Sequence, residues 1–79
     1  MKIEIKYFGK IAEATNCTNE YIELNEGTNL NDLKVILTEQ YPKVKDIDFK
    51  IAYNEVLATN NINLKDGDII ALLPPFAGG

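Results

Sequence analysis

The residues best suited to chemistry in this chain lie together in the run Pro74-Pro75-Phe76-Ala77-Gly78-Gly79. Glycine has no Cβ, so a Gly78-Gly79 tail can enter a channel too narrow for any other residue. With Gly79 as the last residue, its carboxylate is unhindered and open to activation as an acyl-adenylate. Pro74 and Pro75 fix φ and favour extended backbone, which holds the tail away from the folded body before it. A frayed end of small residues would also give Gly-Gly. The place of this pair favours a working tail: it follows a double proline, which follows an apolar strand.

Other reactive side chains are scarce. The chain has no histidine, which removes most metal sites and most general-base schemes. Its one cysteine, Cys17, allows no internal disulfide, and no histidine is present to activate it as a nucleophile or persulfide carrier. All eight basic residues are lysine and the formal net charge is −4. Nucleic-acid binding is therefore disfavoured, since no arginine is available for bidentate phosphate or guanine contacts. An acidic chain more naturally meets a basic partner surface. No apolar run approaches the ~20 residues of a membrane span. The alternating start Met1-Lys2-Ile3-Glu4-Ile5-Lys6 is no signal peptide, so a cytoplasmic location is the expected default.

The elements that must position the tail follow from periodicity. At 79 residues the chain makes one domain near the lower limit for a self-supporting core. Ile3, Ile5 and Tyr7 alternate with Lys2, Glu4 and Lys6, which predicts a half-buried strand ended by Gly9. Lys10 to Ala14 can form a short helical turn with Ile11 and Ala14 inward. Thr18 to Leu24 reads as a second strand, antiparallel to the first because the connection is too short for a parallel crossover. Thr28 or Asn29 caps a helix running to about Tyr41, with Leu30, Leu33, Leu37 and Tyr41 on one face and Pro42 stopping it. Phe49 to Tyr53 is a third strand, Asn54-Glu55 a turn, and Val56 to Ala58 a short strand. Leu64 plugs the core, Lys65-Asp66-Gly67-Asp68 is a tight turn, and Ile69 to Leu73 forms the last strand. One long helix must then cross one face of a four- or five-stranded mixed sheet. This α+β order is that of a ubiquitin-like β-grasp domain over residues 1–73, with 74–79 as an extended tail.

Strand parity adds a second feature. If Ile3, Ile5 and Tyr7 face the helix, Phe8 falls on the opposite face. With Ile70 and Leu72 inward, Ile69, Ala71 and Leu73 face outward, and Leu57 lies on the same side. An uncovered sheet face should be polar, and an apolar one marks a partner surface. The alternative is a buried central strand with scattered surface apolar residues. Phe8, Leu57, Ile69 and Leu73 are thus the candidate interface, and it leads directly into the tail.

The stretch from Leu64-Lys65-Asp66-Gly67-Asp68 through Pro74-Pro75-Phe76-Ala77-Gly78-Gly79 resembles the C-terminal signature of the molybdopterin synthase small subunit family. Ile5 to Glu13 is similar to that family's first strand and turn, and Ala52-Tyr53-Asn54-Glu55 to its hairpin. The resemblance implies a β-grasp fold and a sulfur carrier that is not catalytic alone. An ATP-dependent enzyme related to ubiquitin-activating enzymes would adenylate Gly79, and a sulfur donor would convert the adenylate to a thiocarboxylate. The tail would enter the large subunit of molybdopterin synthase and pass its sulfur to cyclic pyranopterin monophosphate. No permanently bound cofactor or metal is implied; ATP is used by the activating enzyme. Gly79 carries the sulfur, Gly78, Ala77 and Phe76 thread, Pro74 and Pro75 keep the tail extended, and Phe8, Leu57, Ile69 and Leu73 dock. Three departures bear on partner choice: Ile69 stands where an acidic residue is common, Phe76 replaces the usual valine, and Ala12 stands where arginine is frequent. Alternatives are a thiazole-synthesis sulfur carrier, a ubiquitin-like modifier joined to lysines through Gly79, and an interaction module with an inert tail; Pro74-Pro75 argues for the molybdopterin branch over the first of these.

Overall fold

The computed structural model describes residues 1–76, so the expectations for Ala77, Gly78 and Gly79 lie outside the described residues. The chain order is β1 (Lys2–Tyr7), α1 (Lys10–Thr15), β2 (Asn19–Glu23), α2 (Leu30–Gln40), a 3-10 helix (Pro42–Asp46), β3 (Lys50–Tyr53), β4 (Val56–Leu57) and β5 (Ile69–Leu73). The strands form one five-stranded sheet in the order β2-β1-β5-β3-β4. β1 runs parallel to β5 and antiparallel to β2, and β3 is antiparallel to both β4 and β5. The first and last strands are therefore central neighbours, as the element order requires.

Burial follows the expected parities. Ile3, Ile5 and Tyr7 of β1 and Ile70 and Leu72 of β5 are buried on the helix face, together with Leu30, Leu33 and Leu37 of α2. Each fully buried aliphatic side chain contributes roughly 2 kcal/mol relative to exposure. Leu64 is buried beneath its loop. α2 starts at a capping box: the Asp32 amide donates to Asn29 Oδ1 at 2.8 Å, and the Asn29 amide donates to Asp32 Oδ2 at 3.2 Å. Pro42 ends α2 and also opens the 3-10 helix, whose first position needs no N–H donor. That 3-10 helix was not expected from sequence, and it buries Val44 completely. In α1, Ile11 is buried as expected and Ala14 packs at the core margin, while Thr15, one turn after Ile11, is buried as well. Asn54 (φ 47°) and Glu55 (φ 75°) carry the left-handed backbone of a two-residue hairpin turn between β3 and β4.

Candidate functional site

The site is built around β5, because Pro74 follows its last residue. On the uncovered face of the sheet the register aligns Lys6, Ala71, Ala52 and Leu57 in one row across β1, β5, β3 and β4. Leu73 lies opposite Lys50, and Ile69 lies opposite Glu4, which in turn faces Tyr21 of β2. Continuing the parallel register beyond Tyr7–Leu72 sets Phe8 beside Leu73, and the Phe8 amide donates to the Leu72 carbonyl at 3.2 Å. Phe8 is 44% and Leu57 37% exposed, while Ile69 and Leu73 are half-buried. The four side chains thus share a face but not one cluster: Phe8 and Leu73 form a corner, and the small residues Ala71 and Ala52 connect it to Leu57 and Ile69. Lys6 and Lys50 border this band.

The tail root is held by a close backbone approach. Gly9 has φ 59°, and a Cβ there would meet Pro74 Cγ at 3.1 Å. Glycine thus serves twice, for a positive φ that side chains disfavour and for room against the proline. Pro74 is half-buried, Pro75 is exposed, and Phe76 is 83% exposed.

At the other end of β5 a buried carboxylate fixes the strand. Asp68 Oδ2 accepts from the Lys65 amide and from the Tyr53 hydroxyl, each at 2.7 Å, and Oδ1 accepts from Asn54 Nδ2 at 3.1 Å. Asn54 Oδ1 in turn accepts from the Ile69 amide at 2.8 Å. Burial by itself would raise the Asp68 carboxyl, but these three hydrogen bonds outweigh it and hold the group below its usual range. The same bond to Asp68, with burial second, raises the Tyr53 hydroxyl. The turn also reaches β1: the Lys2 amide donates to Asp66 Oδ1 at 2.7 Å, and the Glu4 amide to the Asp68 carbonyl at 3.0 Å. The sequence placed Asp68 and Asn54 in turns but not in this hydrogen-bonded knot, although a turn carboxylate directly before an apolar strand is a usable signal.

A second polar knot lies under the helix face. The Tyr7 and Tyr41 hydroxyls both donate to Glu20 Oε2 at 2.6 Å, and their rings meet edge to face at 5.9 Å. Burial first and Glu20 second push the Tyr7 hydroxyl well above its ordinary range; for Tyr41 the bond to Glu20 leads and burial follows. Cys17 is half-buried, with Sγ 3.6 Å from Thr15 Oγ1, in the turn after α1. Among the described residues no group of three or more His, Cys, Asp or Glu is placed to hold a metal. Among them, too, no helix is long and apolar enough to cross a membrane.

A mixed sheet crossed by one long helix, with its first and last strands parallel at the centre and a proline-led tail leaving the last, defines a ubiquitin-like β-grasp protein. More particularly, the chain belongs to the ThiS family, whose model matches residues 5–79. It is 34% identical over 82 residues to the molybdopterin synthase sulfur carrier subunit of Mycobacterium tuberculosis, covering 100% of this chain and 99% of that protein. A solved protein–protein complex of subunits 1 and 2 of the molybdopterin-converting factor from Helicobacter pylori contains a chain 40% identical to this one, with a TM-score of 0.73 and 100% of both chains covered. The small archaeal modifier protein 1 of H. volcanii, at 19% identity, shares the fold alone: TM-score 0.81, covering 94% of this chain and 97% of that one.

Proposed function

We propose that this chain is the sulfur-carrier subunit of a two-subunit molybdopterin synthase and that Gly79 carries the sulfur. The observation that carries this is the 40% identity, over the full length of both chains, to a protein solved in a complex of subunits 1 and 2 of the molybdopterin-converting factor. The held tail root at Gly9 and Pro74, beside the apolar band with Phe8 and Leu73, supports it.

A carboxylate is a poor electrophile. The Gly79 carboxylate attacks ATP on a ubiquitin-activating-like enzyme; pyrophosphate leaves and an acyl-adenylate forms. A sulfur donor acting as a sulfide equivalent (HS⁻) then attacks the acyl carbon and AMP leaves, giving a thiocarboxylate that is ionised and nucleophilic at neutral pH. In the large subunit this sulfur passes to cyclic pyranopterin monophosphate. The acids and bases of these steps belong to the partners. Dependence on ATP fits the cytoplasmic location expected from sequence.

The test is the intact mass after incubation with ATP, the activating enzyme and a sulfur donor. One oxygen should be replaced by sulfur in the wild-type chain. A chain lacking Gly79, or extended by one alanine beyond it, should remain unchanged, because the acyl group is then out of place. Normal loading of the extended chain would overturn the proposal.

A further inference from the structure

Beside the tail root lies a groove of about 440 Å³. Ile11, Ile47, Pro74 and Pro75 give it an apolar lining, and the exposed Phe76 lines it as well. Its charged residues are Lys10, Asp46 and Asp48, which leave one negative charge in excess. Among the described residues the single ion pair joins the Met1 amino group to Glu23, so neither Asp46 nor Asp48 is paired.

Two unpaired carboxylates beside an apolar slot and an exposed aromatic ring are the groups a guanidinium uses. Arginine lays its methylene stem along apolar surface, stacks its plane on an aromatic face and forks onto carboxylates. A lysine ammonium would use the charge without the flat stack. We propose that this groove receives an arginine side chain of the large subunit when that subunit takes up the tail; this rests on the sulfur-carrier proposal above. Position argues for that occupant, because the groove shares Pro74, Pro75 and Phe76 with the tail, so a protein enclosing the tail covers the groove. A second copy of this chain cannot fill the role, since the sequence contains no arginine. The excess negative charge of this groove suits a basic group better than the apolar sheet face does, which Lys6 and Lys50 border.

Association and dissociation rates of the complex with the large subunit test this. The Asp46→Asn/Asp48→Asn double variant should dissociate about tenfold faster, with weaker salt dependence. Lys10→Gln should bind about twofold tighter, because it removes a positive charge in the groove lining that repels an incoming guanidinium. A general loss of structure would not give opposite signs. If both variants match the wild type while Leu73→Asp abolishes binding, the groove is not the arginine site and the carrier role stands. If the wild-type chain does not bind the large subunit at all, the carrier role fails and this inference with it. The choice of arginine is checked by NMR titration with N-acetyl-arginine amide and N-acetyl-lysine amide. Shifts at Ile11 and Ile47 with the arginine derivative alone are expected, and equal shifts with both would overturn it.

Discussion

The two ends of β5 are built in opposite ways. Its start is a satisfied polar knot in which buried Asp68 accepts from Lys65, Tyr53 and Asn54. Its end leads into the half-buried Pro74, the exposed Pro75 and the largely exposed Phe76, with one backbone bond from the Phe8 amide to the Leu72 carbonyl and the Gly9 backbone close to the Pro74 ring. A buried hydrogen-bonded carboxylate specifies register, since any shift orphans several donors at once. Apolar contact specifies place but leaves a surface that another protein can cover. The strand is thereby fixed where it begins and available where it ends.

The sharpest way to break this contrast is Asp68→Ala. It leaves three part-buried donors without their acceptor and should cost about 2 kcal/mol in urea unfolding. A loss below about 1 kcal/mol would show that the knot does not anchor the strand. Leu73→Asp probes the other end: it should weaken large-subunit binding at least about a hundredfold with the melting temperature nearly unchanged. Unimpaired binding would remove Leu73 from the interface. Next comes a pair of glycines. Gly9→Ala and Gly67→Ala each force an alanine to positive φ, at about 1 kcal/mol or more. Only Gly9→Ala meets a neighbour, at 3.1 Å, whereas Gly67 has nothing within 4 Å. Gly9→Ala alone should therefore slow tail uptake by the large subunit; equal slowing by both would separate uptake from the position of Pro74. The smallest effect is in acid. The Asp68 carboxyl is held below the usual range, so its contribution is present above the unfolded pKa of about 3.9 and is lost as pH falls through the lower folded value. Asp68→Asn should flatten that acid limb of the stability curve, and an unchanged limb would mean another carboxylate is responsible.

Much of this architecture was legible in the residues. Ile3, Ile5 and Tyr7 repeat with period two, and Leu30, Leu33 and Leu37 with helical spacing behind a cap at Thr28 or Asn29, so β1 and α2 follow directly. Parity set Phe8, Ile69 and Leu73 on the uncovered face, with Leu57 expected on the same side, and the register aligns Ile69, Leu73 and Leu57 on one face. The features without a sequence signal depend on contacts distant in sequence. Val44 is one apolar residue between two lysines, with no period to betray that it is buried. Asp66 and Asp68 flank the same glycine, yet Asp66 is exposed and Asp68 buried; only Tyr53 and Asn54, from the neighbouring hairpin, distinguish them. The groove needed Asp46 and Asp48 brought beside Pro74, which no local pattern announces.

The parallel pairing of Glu4 with Ile69 has a kinetic side. A contact between residues so far apart in sequence must close a long loop before it returns any free energy, and such contacts slow folding. The uncovered apolar face and the Gly9–Pro74 contact both depend on that pairing. A nascent chain or partly unfolded copy therefore lacks the surface proposed for docking, and under that proposal acceptance of the tail becomes a check on the folding of the whole domain.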